Sequence, residues 1–271
     1  MDILSPDSKD EDLLQDQDLI FPDRNEYFFE LKKLNILIGC ITDEMFETVL
    51  ASDFIINSAG YHWKNRNISS LGAYLYLGPD YYLLSEDFHK VRRKTSYISE
   101  TKLKICLFFG GSDVDNFTGR VIEIIADSED FVISVITNRT TLKGLNRFEG
   151  RKNIKIYSEP LCVAKIMNEA DIAITHGGNT IYEFAFLGVP QIVFCRRERQ
   201  VIHAEYFEKQ GVVKNFGYAN FISKTDLLNE IYKLAFDRSF SDFKSQNGKK
   251  CVDGLGINRV YQIMEKWLNE S

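Results

Sequence analysis

The residues whose types and spacing best suit phosphate chemistry lie in one segment, Ile172–Phe194, with the sequence IAITHGGNTIYEFAFLGVPQIVF. The pattern predicts a strand that ends at Thr175, a glycine turn, and a helix that begins near Asn179 or Thr180. Two glycines let the backbone approach a bulky anion, and a helix start presents free N–H groups with partial positive charge. The segment therefore predicts a diphosphate site at His176-Gly177-Gly178.

An acidic residue follows within the first turn of that helix. Glu183 can accept hydrogen bonds from two vicinal ribose hydroxyls, which would extend the predicted site from a diphosphate to a nucleotide. A purely structural interpretation is also open. Thr180 and Glu183 have the spacing of a capping box, and glycines are common in turns between strand and helix.

A second glycine turn, FFGGSD at Phe108–Asp113, follows the first strand of the same half. It leads toward a helix near Asn116 and suits a phosphate or a sugar, or else is a tight turn with an N-cap. The pattern is neither GxGxxG nor a Walker loop. Of the four histidines only His176 lies in a glycine turn, where it can donate to a phosphate.

Elsewhere, apolar strand-like runs alternate with helix-like segments, which predicts an α/β fold with parallel sheets. A charged stretch at Val91–Lys102 is the predicted linker between two Rossmann-like lobes, residues 1–95 and 103–271, with the final helix packing back. In such sheets a ligand binds beyond the carboxyl ends of the strands. Predicted elements include strands at Asp18–Phe21, Asn35–Gly39 and Phe54–Asn57, helices at Glu26–Leu34, Glu44–Ala51 and Asn116–Ala126, five strands between Lys104 and Phe194, a helix capped at Ser223–Asp226, and a last helix at Asn258–Leu268.

Composition excludes several classes of function. A net charge of −6 disfavours nucleic-acid binding, no run of apolar residues is long enough to span a membrane, and the acidic first residues lack the layout of a signal peptide. We therefore expect a cytoplasmic protein. The five scattered cysteines contain no CxxC pair, so we expect neither disulfides nor a zinc site, and no metal or cofactor is predicted.

Taken together, four segments resemble a known family: LGPDYYLLSEDFHKVRRK, FFGGSDVDNFT, ADIAITHGGNTIYEFAFLGVPQIVF and VDGLGINRV. The family is that of the UDP-sugar hydrolase of pseudaminic-acid biosynthesis and, more distantly, the C-terminal domain of the peptidoglycan N-acetylglucosaminyltransferase. Both have the GT-B architecture of two Rossmann-like lobes. The resemblance implies a UDP-sugar as ligand.

The resemblance also implies roles for particular residues. Gly177, Gly178, Asn179 and Thr180 would hold the diphosphate, and Glu183 would hold the ribose. Gly111 and Ser112 would face the phosphate or sugar, and Gln200 would contact the sugar. The uracil would lie on the backbone of Tyr157, Ser158 and Glu159.

One part of the family pattern is missing. The family begins with a strand and a GxGHxxR loop that supplies the hydrolase's catalytic histidine, and no GxGH occurs in this sequence. The resemblance therefore implies a shortened N-terminal lobe, no assigned base except the candidate His176, and slow or absent hydrolysis by this chain. Two hypotheses stay open: an enzyme that hydrolyses or transfers the sugar at its anomeric carbon in surface-polysaccharide or nonulosonic-acid biosynthesis, or a non-catalytic nucleotide-sugar-binding or accessory protein. A partner chain that supplies the missing segment is a further alternative.

Overall fold

A small parallel sheet forms the first part of the fold. The computed structural model describes residues 30–43, 52–60, 72–92, 102–110, 113, 116–220 and 222–270. Within them the sheet has the order β1-β2-β3, with β1 at Gly39–Ile41, β2 at Phe54–Asn57 and β3 at Tyr74–Leu77. All four residues of β2 are buried, as expected for the central strand of a parallel sheet.

The first of these strands begins later than the sequence predicts. The predicted strand Asn35–Gly39 is wrong, because Asn35 has a left-handed backbone with a φ of 56° and interrupts extended structure. The Ile38 N–H donates instead to the Asp53 carboxylate, at 2.8 Å. The predicted strand Asp18–Phe21 and helix Glu44–Ala51 lie outside the described residues, as do residues 93–101 of the predicted linker, so the lobe boundaries stay a prediction.

The second sheet has six strands, and every neighbouring pair is parallel. This confirms the parallel sheet predicted for the second half. Its order is β6-β5-β4-β7-β8-β9, so the chain winds first to one side and then to the other, and the direction changes between β4 and β7. The six strands are β4 (Leu103–Phe108), β5 (Phe131–Thr137), β6 (Ile154–Ser158), β7 (Ile172–His176), β8 (Gln191–Cys195) and β9 (Val213–Tyr218).

Helices cover this sheet on both faces. One face carries the core of Tyr182, Phe184 and Phe207, and the opposite face carries that of Phe117 and Phe131. The α-helices are α1 (Glu86–Val91), α2 (Phe117–Ile125), α3 (Arg139–Leu142), α4 (Val163–Asn168), α5 (Thr180–Leu187), α6 (Glu198–Lys209), α7 (Lys224–Phe236), α8 (Arg238–Cys251) and α9 (Gly256–Glu270).

Local sequence explains where two of the helices begin or end. At the end of α5, Gly188 takes a left-handed φ of 74° and the Val189 N–H turns back to the Phe184 carbonyl at 3.0 Å. At the start of α7, the Ser223 hydroxyl accepts from the Asp226 N–H at 3.2 Å, which confirms the predicted cap.

The last helix, α9, packs against the first sheet. The Trp267 ring stacks on Phe54 with centroids 5.3 Å apart, and Val260 and Ile263 join the same apolar cluster. Arg259 pairs with Asp253 through two hydrogen bonds of 2.8 and 2.5 Å. Because the chain end returns in this way, the two sheets are joined both by the segment around α1 and by α9.

Candidate functional site

The start of α5 lies at the point where the winding of the large sheet changes direction. Strands β4 and β7 are neighbours here, and the Thr175 hydroxyl donates to the Phe108 carbonyl at 2.6 Å, which ties their carboxyl ends together. In open parallel sheets this crevice is where ligands bind. The glycine turn of the sequence analysis therefore lies in the crevice that topology favours.

Free backbone N–H groups are available at this helix start. Asn179 is the N-cap residue and makes no side-chain cap bond, while the N–H groups of Ile181 and Tyr182 already donate to the Gly178 and Asn179 carbonyls. Among the backbone hydrogen bonds of the described residues, none has the N–H of Asn179 or Thr180 as donor. Those two N–H groups can bind an anion. Because Thr180 lies inside the helix, a capping box with Thr180 as the N-cap is wrong.

The two glycines of the turn have different surroundings. A Cβ on Gly177 would lie 2.5 Å from the Gln200 carbonyl oxygen, so glycine is needed where the turn meets the start of α6. A Cβ on Gly178 would meet nothing within 4 Å. Gly177 therefore serves close packing of the backbone, and Gly178 leaves open space above the turn.

Helix α6 supports the turn from behind. The His203 Nδ1 lies 3.1 Å from the Gly177 carbonyl oxygen, and the Gln200 side-chain oxygen accepts from the Arg196 N–H at 2.7 Å. The structure thus places Gln200 beside the turn. Its predicted contact with a sugar stays a prediction.

Glu183 is half-buried on α5, one turn from the glycines. No hydrogen bond or ion pair joins its carboxyl group to another residue in the described part of the chain. Burial raises the pKa of Glu183 to about 7, because removal from water disfavours the charged form. A half-buried carboxyl group without a partner is suited to accept hydrogen bonds from a ligand.

His176 occupies a different environment from that expected of an exposed catalytic group. Its ring packs 4.8 Å from Phe109 and 5.3 Å from Phe117, and the residue is 5% exposed. Below the turn, burial raises the pKa of the Cys195 thiol to about 12, so this group stays neutral. The role of His176 toward a phosphate stays a prediction.

The other predicted contacts lie around the same edge of the sheet. The end of β6 carries Tyr157 and Ser158, and Glu159 follows with a left-handed φ of 48° and its N–H bonded to the Thr137 carbonyl. Three strand spacings, about 14 Å, separate β6 from β7. Gly111 and Ser112 lie outside the described residues, so nothing follows about their predicted contact.

Sequence reasoning missed the residues that connect the first sheet to this site. The Tyr182 hydroxyl donates to the Ser58 carbonyl, just after β2, at 2.9 Å. Tyr82 stacks on Tyr182 with ring centroids 4.1 Å apart and an interplanar angle of 6°. No local pattern marks either tyrosine, because each contact joins residues that are 100 or more positions apart in the sequence.

The family of this chain follows from its second half. A model of the glycosyltransferase family 28 C-terminal domain matches residues 105–257. The chain belongs to this family. The matched range contains both glycine turns, β4 from Ile105 onward and the other five strands of the large sheet. The family 28 domain is therefore the part that carries the crevice described above.

Relatives of this family 28 chain agree with the resemblance read from the sequence. An uncharacterized protein of Methanocaldococcus jannaschii is 34% identical over 73% of this chain, and the spore coat polysaccharide biosynthesis protein SpsG of Bacillus subtilis is 26% identical over 81%. The UDP-2,4-diacetamido-2,4,6-trideoxy-beta-L-altropyranose hydrolase of Campylobacter jejuni is 22% identical over 52%. The resemblance to the hydrolase family is confirmed. The chain spans 41%, 66% and 51% of the lengths of these relatives.

Solved structures show the fold of the family 28 chain. Acinetobacter baumannii MurG superposes with a TM-score of 0.65 at 13% identity, covering 90% of this chain and 77% of MurG. The Staphylococcus aureus MnaA–UDP complex gives 0.57 at 16% identity, covering 91% and 80%. The expected GT-B type of fold is confirmed. None of the helices in the described part of the chain combines the length and apolar character that crossing a bilayer requires.

Proposed function

We propose that this chain binds a UDP-sugar at the start of α5 and acts on the bond at the anomeric carbon of the sugar, in surface-polysaccharide or nonulosonic-acid biosynthesis. The observation that carries the proposal is the open helix start beside the crevice between β4 and β7, where the N–H groups of Asn179 and Thr180 donate to no backbone acceptor in the described part of the chain. A diphosphate there would meet backbone donors and the positive end of a helix dipole.

The same arrangement suits departure of a diphosphate. When the anomeric bond breaks, negative charge develops on the leaving phosphate oxygen. Preorganised N–H donors stabilise such charge without a metal ion, as they do in an oxyanion hole. Glu183 would accept the ribose hydroxyls, and the end of β6, about 14 Å away, would receive the uracil on its backbone groups.

Relatives and structural neighbours support this choice of ligand. A protein in the same fold class, MnaA, was solved with UDP, and one relative is named as a UDP-sugar hydrolase. Another relative is named for spore coat polysaccharide biosynthesis. The UDP-sugar ligand and the role in polysaccharide biosynthesis named for these proteins are therefore part of the proposal for this chain.

A second hypothesis, binding without turnover, is favoured by one observation. The candidate base His176 is packed between Phe109 and Phe117 and is 5% exposed, so it is poorly placed to activate water. A positioned base contributes about 10²–10⁴-fold to rate. Binding depends on α5 and survives the loss of a base.

The test is a binding screen followed by a turnover assay on the full chain. Calorimetry with UDP-, GDP-, CMP- and dTDP-sugars should show preference for a UDP-sugar, and UDP release should then be measured with the ligand that binds best. Absence of UDP and UDP-sugar binding would contradict the proposal. Binding without UDP release would favour the second hypothesis, and release abolished by His176→Ala would make His176 the working group.

One variant links the ligand to Glu183. Glu183→Ala should weaken UDP binding by about 1–3 kcal/mol, because hydrogen bonds from the ribose to a charged acceptor are lost. Asp226→Asn is the matched control, since Asp226 is an exposed acid in the first turn of α7. If Glu183→Ala lowers the melting temperature yet leaves UDP affinity unchanged, Glu183 has a structural role only.

A further inference from the structure

The two edge strands of the large sheet, β9 and β6, differ in how their outward backbone groups are used. At the β9 edge side chains occupy these groups. The Lys244 ammonium of α8 donates to the Val213 carbonyl at 2.8 Å, and the Asn215 N–H donates to the Glu208 carboxylate of α6 at 3.0 Å. The Gly217 N–H donates to the Asn215 side-chain oxygen at 2.8 Å. Such caps keep the edge of a sheet from pairing with another chain.

The outer edge of β6 has no such caps. The bonds at the two ends of its pairing with β5 use the Asn153 carbonyl and the Glu159 N–H. Alternate residues of β6 therefore face β5, and the backbone groups of Ile154, Ile156 and Ser158 lie on the outer side. Within the described residues, nothing hydrogen-bonds to the backbone of Ile156 or Ser158 on that side. This edge is a template on which a further strand can pair.

The open groups of β6 match those of a second copy of the same strand. A twofold axis through Ile156 sets the two strands antiparallel. The Ile156 N–H then donates to the Ile156 carbonyl of the second copy, and the Ser158 N–H donates to the Ile154 carbonyl of the second copy. The Ile154 N–H needs no new acceptor, because it already donates to the Arg151 carbonyl at 3.2 Å. Every open N–H group of this edge therefore gains an acceptor.

The side chains of β6 favour the same register. Lys155 of one copy lies directly opposite Tyr157 of the other, so no two lysines stand face to face. Within one strand the Lys155 ammonium lies 4.7 Å from the centre of the Tyr157 ring, and the second copy offers it another aromatic face. Beyond the strand, Glu159 comes next to Lys152 of the second copy, which has the opposite charge. Leu161, which is wholly exposed, adds apolar surface at the same edge.

We propose that two copies of this chain pair antiparallel through the outer edges of β6, so that their large sheets become one continuous sheet. The inference does not depend on the proposed function. An extended peptide of another protein could add to the same edge, but only self-pairing brings position 155 of one chain opposite position 157 of an identical chain. The paired strands are short, so we expect a weak dimer that forms at high protein concentration.

Sedimentation velocity on the full chain tests the association. Nucleotide is left out, because a base at the end of β6 would share the Ser158 N–H group. The wild-type protein should shift from monomer to dimer as its concentration rises to the millimolar range. Ser158→Pro removes an N–H that the β5 pairing does not use, which an edge strand tolerates, and it should raise the dissociation constant of the dimer about tenfold or more. Ser158→Ala keeps the N–H group and is the matched control, with wild-type association.

Disulfide trapping tests the register, in a Cys162→Ser background that removes an exposed native thiol. A mixture of Lys155→Cys and Tyr157→Cys proteins should form a mixed disulfide on oxidation, because the Cα atoms of directly opposite residues in a non-hydrogen-bonded pair are about 4.5 Å apart. Neither variant alone should cross-link efficiently. Its two cysteines would be diagonal neighbours about 7–8 Å apart, at or beyond the reach of a disulfide.

Wild-type protein that stays monomeric at millimolar concentration would overturn the inference and leave the edge to a peptide strand of another protein. A dimer that Ser158→Pro does not weaken would also overturn it, since association would then use another surface. If Ser158→Pro does not fold, the mixed disulfide decides, and its absence would overturn the inference. The results of nucleotide binding play no part in this test, so failure of the proposed function is a separate outcome.

Discussion

The two helices that begin at the change of direction in the large sheet, α2 and α5, follow similar glycine turns but have opposite starts. At α2 the Asp113 carboxylate accepts from the N–H groups of Phe117 and Thr118, at 2.7 and 2.8 Å. At α5 the N-cap residue Asn179 makes no such bond. The chain's own carboxylate therefore caps the start of α2, whereas no side chain caps the start of α5.

This difference shows how similar sequence patterns acquire different chemistry. Both turns follow a buried strand and contain two consecutive glycines, so each suits a phosphate. The N–H groups at the start of α2 are already occupied by the Asp113 carboxylate, whereas no carboxylate in the described part of the chain binds the N–H groups of Asn179 and Thr180 at the start of α5. We therefore expect α5 to carry most of the diphosphate contact. Four experiments can break or sharpen this comparison.

The largest effect should come from the glycines of the α5 turn. Gly177→Ala should lower the free energy of unfolding by about 1–3 kcal/mol, because its Cβ would lie 2.5 Å from the Gln200 carbonyl oxygen. Gly178→Ala should fold as the wild type but bind UDP more weakly, since its methyl group enters the space above the turn. Urea unfolding and calorimetry would measure both. Wild-type UDP affinity in Gly178→Ala would show that the ligand does not approach this turn.

Converting the start of α5 into that of α2 should weaken binding with little loss of stability. Asn179→Asp places a carboxylate at the N-cap, where it competes with the diphosphate for N–H groups and repels it. We expect a loss of UDP affinity of about 10- to 100-fold, with an unchanged or higher melting temperature. Asn179→Ser, a neutral cap, is the control. Equal affinity in the two variants would argue against charge at this helix start.

The pH dependence of binding reports on Glu183. Burial raises the pKa of Glu183 in the folded state to about 7, so the folded protein binds this proton more tightly than the unfolded chain. The contribution of Glu183 to the free energy of unfolding therefore falls as pH rises from about 4.5 to 7. Ribose hydroxyls need the ionised form. UDP-sugar affinity should therefore decrease about tenfold per pH unit below pH 7 and level off above it.

A UDP-sugar is the suitable ligand for this measurement, because both of its phosphates are esterified and neither titrates near pH 7. Glu183→Gln should remove the dependence of affinity on pH. A profile that persists unchanged in Glu183→Gln would assign the dependence to another group.

The smallest effect is expected at α2. Asp113→Ala removes the acceptor of two N–H groups and should lower the free energy of unfolding by about 0.5–2 kcal/mol. UDP affinity should change much less than in Asn179→Asp. Thermal unfolding and calorimetry would test both statements. An unaltered unfolding free energy would mean that the Asp113 cap contributes nothing to folding.

Several features of this protein could be predicted from sequence because their causes are local. Apolar runs predicted five of the six strands of the large sheet, all except β9, and their parallel arrangement; among them β7 and β8 are buried along their whole length. Gly188 ended α5 and Ser223 began α7, as their residue types indicate. The glycine turn after Thr175 and the helix after it were likewise predictable, since a few consecutive residues determine them.

Other features depended on residues that are distant in the sequence. The displaced strand β1 reflects a bond between Ile38 and Asp53, and the stacking of Tyr82 on Tyr182 joins two residues that lie far apart in the sequence. Burial raises the pKa of Glu183, and this burial exists only in the folded chain. Sequence by itself determined most elements of the large sheet and the glycine turn before α5. Tertiary structure decided which helix start stays open and how far its carboxyl group is removed from water, because desolvation and capping depend on neighbours in space.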